Sequence, residues 1–95
     1  MKNKLLLEKY YTKDRFGVMI YNNKEIEIRV VYSPFYGEFI CARDCTFETN
    51  DKINEIGVDL GICKAEPKDK TEPYRQSETL FSYYKALKHF DIETY

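Results

Sequence analysis

Three cysteines and a single histidine are the residues that first suggest metal or covalent chemistry. Cys41 and Cys45 stand four apart, Cys63 lies further on, and His89 is near the C-terminus. Structural zinc takes two close pairs of Cys or His ligands, and the set Cys41, Cys45, Cys63 and His89 lacks the second pair. The expectation is therefore small structural thiols and no metal. A Cys–His nucleophilic pair meets a simpler competitor. His89 falls near the end of a helical pattern, where a cation meets the last carbonyls favourably. Gly57 and Gly61 lie inside an alternating apolar run and not between a strand and a helix, so they make no phosphate cradle. No nucleophile elbow or zincin motif is present. Glu25 and Glu27 read as a solvated strand face, and a glycosidase would need two acids placed across a cleft. These residues predict no catalytic group, no cofactor and no enzyme.

Binding chemistry is better represented. The chain has nine tyrosines and six phenylalanines and no tryptophan. So many phenols cannot all be buried with satisfied hydroxyls in a small core, and exposed tyrosine favours interfaces because it offers large area at little rotamer cost. A biased nucleotide composition, which also enriches Lys, Asn, Ile and Phe, is the competing explanation. Phe35 and Tyr36 are bracketed by Ser33-Pro34 and Gly37, which places them at a loop tip. The acids Asp44, Glu48, Asp51 and Glu55 follow as further partner-binding candidates, and Glu48, Asp51 and Glu55 are expected to steer a basic partner.

Charge is distributed unevenly around a net −1. Residues 1–15 hold five cations against two acids, and residues 44–72 hold eight acids against four lysines. A basic head and an acidic middle also permit self-association. The alternative reading is nucleic-acid binding through the basic N-terminal segment, with Tyr10, Tyr11 and Phe16 as stacking groups. Near-neutral charge weighs against it, because phosphate neutralisation supplies most non-specific affinity.

The elements that must position these groups follow from periodicity. Residues 3–11 carry Leu6, Leu7, Tyr10 and Tyr11 at helical spacing and predict a short helix. Residues 16–21 are rich in strand formers, Asn22-Asn23 offers a tight turn, and residues 25–32 alternate cleanly. Ile26, Ile28, Val30 and Tyr32 share one face of that strand, with Glu25, Glu27 and Arg29 on the other. Residues 38–47 resume a strand after Pro34 and Gly37. Residues 56–64 alternate again, with Ile56, Val58, Leu60 and Ile62 on one side. A closing helix from Pro73 or Ser77 carries Leu80, Tyr84 and Leu87. The predicted core is Val18, Ile20, Ile26, Ile28, Val30, Val58, Leu60, Ile62, Leu80, Tyr84 and Leu87.

The expected architecture is a single α+β domain over residues 1–95. It is a small two-layer domain of about four mostly antiparallel strands packed by a C-terminal helix. Ninety-five residues suit one domain with one modest core, and no run is apolar enough for a signal peptide or a membrane span. With three undirected cysteines, a cytoplasmic location is expected.

Ile62-Cys63-Lys64-Ala65-Glu66-Pro67-Lys68-Asp69, followed by a helix through Ala86-Leu87, resembles small uncharacterised accessory proteins of phages and mobile elements of Firmicutes. In those, a last strand runs into a Pro-x-Asp turn and a closing helix. The resemblance covers the final third of the chain. It implies an accessory, partner-binding role, including inhibition of a host defence protein, and assigns no residue a function.

Overall fold

Asn22 and Asn23 both take positive φ, at 49° and 68°, the reversal that suits a right-twisted hairpin. They join β2 (Arg15–Tyr21) to β3 (Lys24–Ser33), with Tyr21 opposite Lys24 and Met19 opposite Ile26. The structure is a computed structural model and describes residues 3–9, 14–65 and 76–94. β1 (Lys4–Leu7) flanks β2, and β4 (Gly37–Ala42) flanks β3. Past β4 come α1 (Phe47–Asp59), α2 (Gln76–Thr79), β5 (Phe81–Ser82), α3 (Tyr83–Ala86) and β6 (Asp91–Thr94). The sheet order is β5-β4-β3-β2-β1-β6, antiparallel throughout except that β6 runs parallel to β1.

The fold is thus α+β with a six-stranded mixed sheet, and it differs in detail from four strands under one helix. Residues 4–7 form a strand and not a helix, because Leu5 and Leu7 are both fully buried at period two between β2 and β6. Tyr10 and Tyr11 lie outside the described residues. The C-terminal stripe is broken where Ser82 pairs with Phe39 and then caps α3, its hydroxyl accepting from the Lys85 amide at 3.4 Å. The chain closes on a strand, β6.

The largest correction concerns residues 47–62. The sequence suggested a strand over residues 56–64, but α1 runs to Asp59 and residues 60–62 form the turn that ends it. Thr46 is its N-cap, accepting from the Thr49 amide at 3.3 Å. Gly61, at φ 74°, ends it. The Ile62 amide donates to the Gly57 carbonyl at 2.8 Å and the Gly61 amide to the Val58 carbonyl at 3.1 Å. That pair of bonds is the glycine-dependent helix stop in which the residue after the cap turns left-handed.

The core lies on one sheet face. Leu5, Leu7, Met19, Ile28, Val30, Ile40, Ala42 and Phe81 meet Ile53, Ile62, Ala86 and Phe90 from the other layer. Pairing opposite Ile26 and Ile28 brings Met19 and Gly17 onto this face, so Val18 and Ile20 point the other way, beside Glu27 and Glu25. Val58, Tyr84 and Leu87 also leave the predicted core, being exposed. A Cβ on Gly17 would overlap the Leu6 carbonyl oxygen, so β1 can lie this close only against glycine.

Candidate functional site: a tyrosine notch and an acidic groove on either side of β5

The loop between β3 and β4 is held by one hydroxyl. Ser33 Oγ accepts from the Phe35 amide at 3.2 Å and the Tyr36 amide at 3.3 Å, and Gly37 completes the turn at φ 77°. This presents Phe35 at 89% exposure and Tyr36 at 48%. Across from Tyr36 the chain leaves β5 for α3, and the space between opens as a notch of about 290 Å³. Tyr36, Glu38, Tyr83, Tyr84 and Leu87 line it. The Arg15 guanidinium lies over the Tyr83 ring, 6.0 Å from its centre. Tyr84 is 74% exposed, and Leu87 and the nearby Tyr32 are exposed as well. The sequence placed Tyr84 and Leu87 inside. A stripe of tyrosine and leucine at helical spacing looks the same whether it faces a sheet or a partner, so no local signal distinguishes the two.

On the other side of β5, α1 lies along β4. The Asn50 side chain accepts from the Ala42 amide at 2.8 Å and the Asn54 side chain donates to the Thr79 carbonyl at 3.1 Å. These two carboxamides tie the helix to β4 and to the end of α2. Between them runs a groove of about 650 Å³, walled by Phe39, Phe47, Leu80 and Phe81 and rimmed by Asp51 and Glu55. Phe47 is 79% exposed. Glu48 stands on the exposed surface of the same helix. Among the described residues, Glu48, Asp51 and Glu55 form no ion pair.

Asp44 has a different occupation. Its carboxylate accepts from the Thr46 amide and the Thr46 hydroxyl, both at 3.0 Å, and from the Thr49 hydroxyl at 3.4 Å. The Thr46 amide, followed by the Thr46 hydroxyl, holds this carboxyl below the usual range. Asp44 thus orders the entry of α1. The six residues singled out from the sequence divide accordingly. Tyr36 lines the notch and Phe35 stands exposed at the turn beside it, Asp51 and Glu55 belong to the groove, Glu48 to the outer helix surface and Asp44 to the helix start.

Cys41 and Cys45 share Arg29 as a partner, and Cys63 contacts Asn54 instead. Cys63 is buried beside Asn54, which donates to its sulfur at 3.6 Å, and burial pushes its pKa up. Burial also pushes the Cys41 thiol up, against a hydrogen bond with Arg29 that acts the other way. Arg29 donates in addition to Cys45 Sγ and pairs with Asp14 at 3.6 Å. No group of three or more metal-ligating side chains occurs among the described residues. His89 is exposed.

Of the basic head, Lys4 pairs with Glu93 at 3.4 Å, Arg15 covers Tyr83, and Phe16 lies under Arg43 at 4.8 Å. Lys2, Tyr10, Tyr11 and Lys13 lie outside the described residues. Among the described residues no helix is long and apolar enough to cross a membrane. No protein-family model, curated protein or solved structure matches the chain.

Proposed function

We propose that this chain is a non-catalytic binding protein whose principal contact surface is the tyrosine notch. One observation carries the reading: two segments far apart in sequence, the 33–37 turn and α3, converge exposed aromatic side chains on a single depression. Large amphipathic rings on a rigid frame supply the contact area that interface anchors need. Lys85 and Lys88, exposed on the same stretch as Tyr84 and Leu87, extend the surface with positive charge. The partner is therefore a protein that offers apolar side chains to the notch and acids to its rim. The resemblance to accessory proteins of phages and mobile elements makes a host protein, including a defence protein, the class to search first. Its supporting pattern is weakened, because Ile62–Lys64 follow a helix and not a strand.

The test is capture from host lysate with wild-type protein and with the double variant Tyr36→Ala/Tyr84→Ala, both verified as folded by circular dichroism. A protein retained by wild type and lost by the variant supports the reading once it binds in purified form. Equal recovery by both, or turnover of a small molecule by the purified chain, overturns it.

A further inference from the structure

The groove under α1 is a second surface with different chemistry, and it lies beyond what the notch reading requires. Its walls are part apolar, formed by Phe39, Phe47, Leu80 and Phe81, and part polar, formed by Asn50, Asn54 and Thr79, with Phe47 strongly exposed. About 650 Å³ is room for several side chains. The two carboxamides nearest the floor are already spent on the Ala42 amide and the Thr79 carbonyl, so they act as struts.

Among the described residues, the charges on the rim form no ion pair. Asp51 and Glu55 are one helical turn apart on α1, a spacing at which side chains are neighbours and like charges repel. Lys52, the nearest cation in sequence, is exposed and forms no ion pair with either, and Lys64 is paired with Glu78 at 3.6 Å. No basic residue lines the groove among the described residues. An incoming ammonium or guanidinium would relieve the repulsion between the carboxylates, and a guanidinium can span both of them. Apolar wall residues beside paired negative charge specify an occupant with both features.

We infer that the groove is a docking site for a basic segment of a partner protein, one that places an apolar side chain against Phe47 and Leu80 and an arginine or lysine between Asp51 and Glu55. The carboxylates select the sign of the partner and speed its approach. The phenyl walls hold it once seated.

Selection from a random peptide library displayed on phage, with the folded full chain as bait, tests this directly. Enriched peptides are expected to carry arginine or lysine next to leucine, isoleucine or an aromatic residue. Affinity of the best synthetic peptide should fall about tenfold or more for Asp51→Asn/Glu55→Gln and for Phe47→Ala, and should weaken as salt is raised. Enrichment of acidic or neutral peptides, or no enrichment, overturns the inference. So does equal affinity for the wild type and both variants. Spermine competing as well as the peptide would mean that charge alone is recognised, and would also overturn it. Peptides that lose binding to Tyr84→Ala but keep it to Asp51→Asn/Glu55→Gln would refute the groove while leaving the notch reading intact.

Discussion

The notch beside Tyr36 and the groove beneath α1 border the same two-residue strand, with Ser82 facing one and Phe81 the other. Both are framed by side-chain oxygens that take up backbone donors: Ser33 and Ser82 at the notch and Asn50 at the groove, with Asp44 and Thr46 at the start of the helix above it. They differ in charge. Among the described residues, the notch is aromatic with one lining carboxylate, Glu38, whereas the groove adds Asp51 and Glu55, which form no ion pair, to its phenyl walls. Desolvated aromatic anchors act mainly on dissociation, and exposed charges act mainly on association. One small sheet edge therefore carries two surfaces that different kinetic constants should report.

The largest effect should come from the sheet that both surfaces share. Ile28 is fully buried at the centre of β3, and Ile28→Ala should cost about 2–5 kcal/mol of stability in urea unfolding. Binding at notch and groove should then fail together, which would mark the sheet as their common support. An unchanged unfolding midpoint would mean that β3 is not central.

Next, Tyr84→Ala should leave stability within about 0.5 kcal/mol while costing about 2 kcal/mol of affinity for a notch partner. A comparable loss of stability would instead return Tyr84 to the core, where the sequence placed it.

Gly57→Ala should act mainly on the groove side. A Cβ there would come within 2.9 Å of the Phe81 ring and overlap Cys63 Sγ, so a destabilisation of about 1–3 kcal/mol is expected in the same urea assay. Groove binding should weaken more than notch binding.

The smallest effect is a pH dependence at the start of α1. A carboxyl whose folded pKa is depressed contributes stability above its unfolded pKa and loses it as pH falls through the folded value. The stability difference between wild type and Asp44→Ala should therefore be full at neutral pH and shrink on acidification below about pH 4. Melting curves across that range check it, and a difference independent of pH would mean that the Asp44 charge contributes nothing to the helix start.

How much of this was legible depends on whether a local signal had a rival. The β2–β3 hairpin had none, since Asn22-Asn23 sits between two strand-forming runs and turn and alternation agree. The same turn also contained the face of β2. A two-residue loop pairs Tyr21 with Lys24 and therefore Met19 with Ile26, so Met19 and not Val18 joins the core. α1 was misread because two periods coexist. Ile56, Val58, Leu60 and Ile62 alternate, but Ile53, Ile56, Gly57 and Leu60 recur at helical spacing and those are the residues that turn inward. Its capping residues Thr46 and Gly61 were present as signals and would have decided the matter. Leu5-Leu6-Leu7 is too short for its period to separate strand from helix. Of the site, the Phe35–Tyr36 loop tip was readable from its flanking Ser-Pro and Gly. Its meeting with Tyr84 and Leu87 depends on the β4–β5 pairing, which no local pattern announces.

The division of labour between the two surfaces is tested most directly by binding kinetics. A partner that engages the full chain would be measured at low and high salt against wild type, Tyr36→Ala/Tyr84→Ala and Asp51→Asn/Glu55→Gln. The notch variant is expected to dissociate faster with little change in association. The groove variant should associate more slowly, with a flatter salt dependence and a smaller change in dissociation. Identical rate constants for all three proteins would contradict the account.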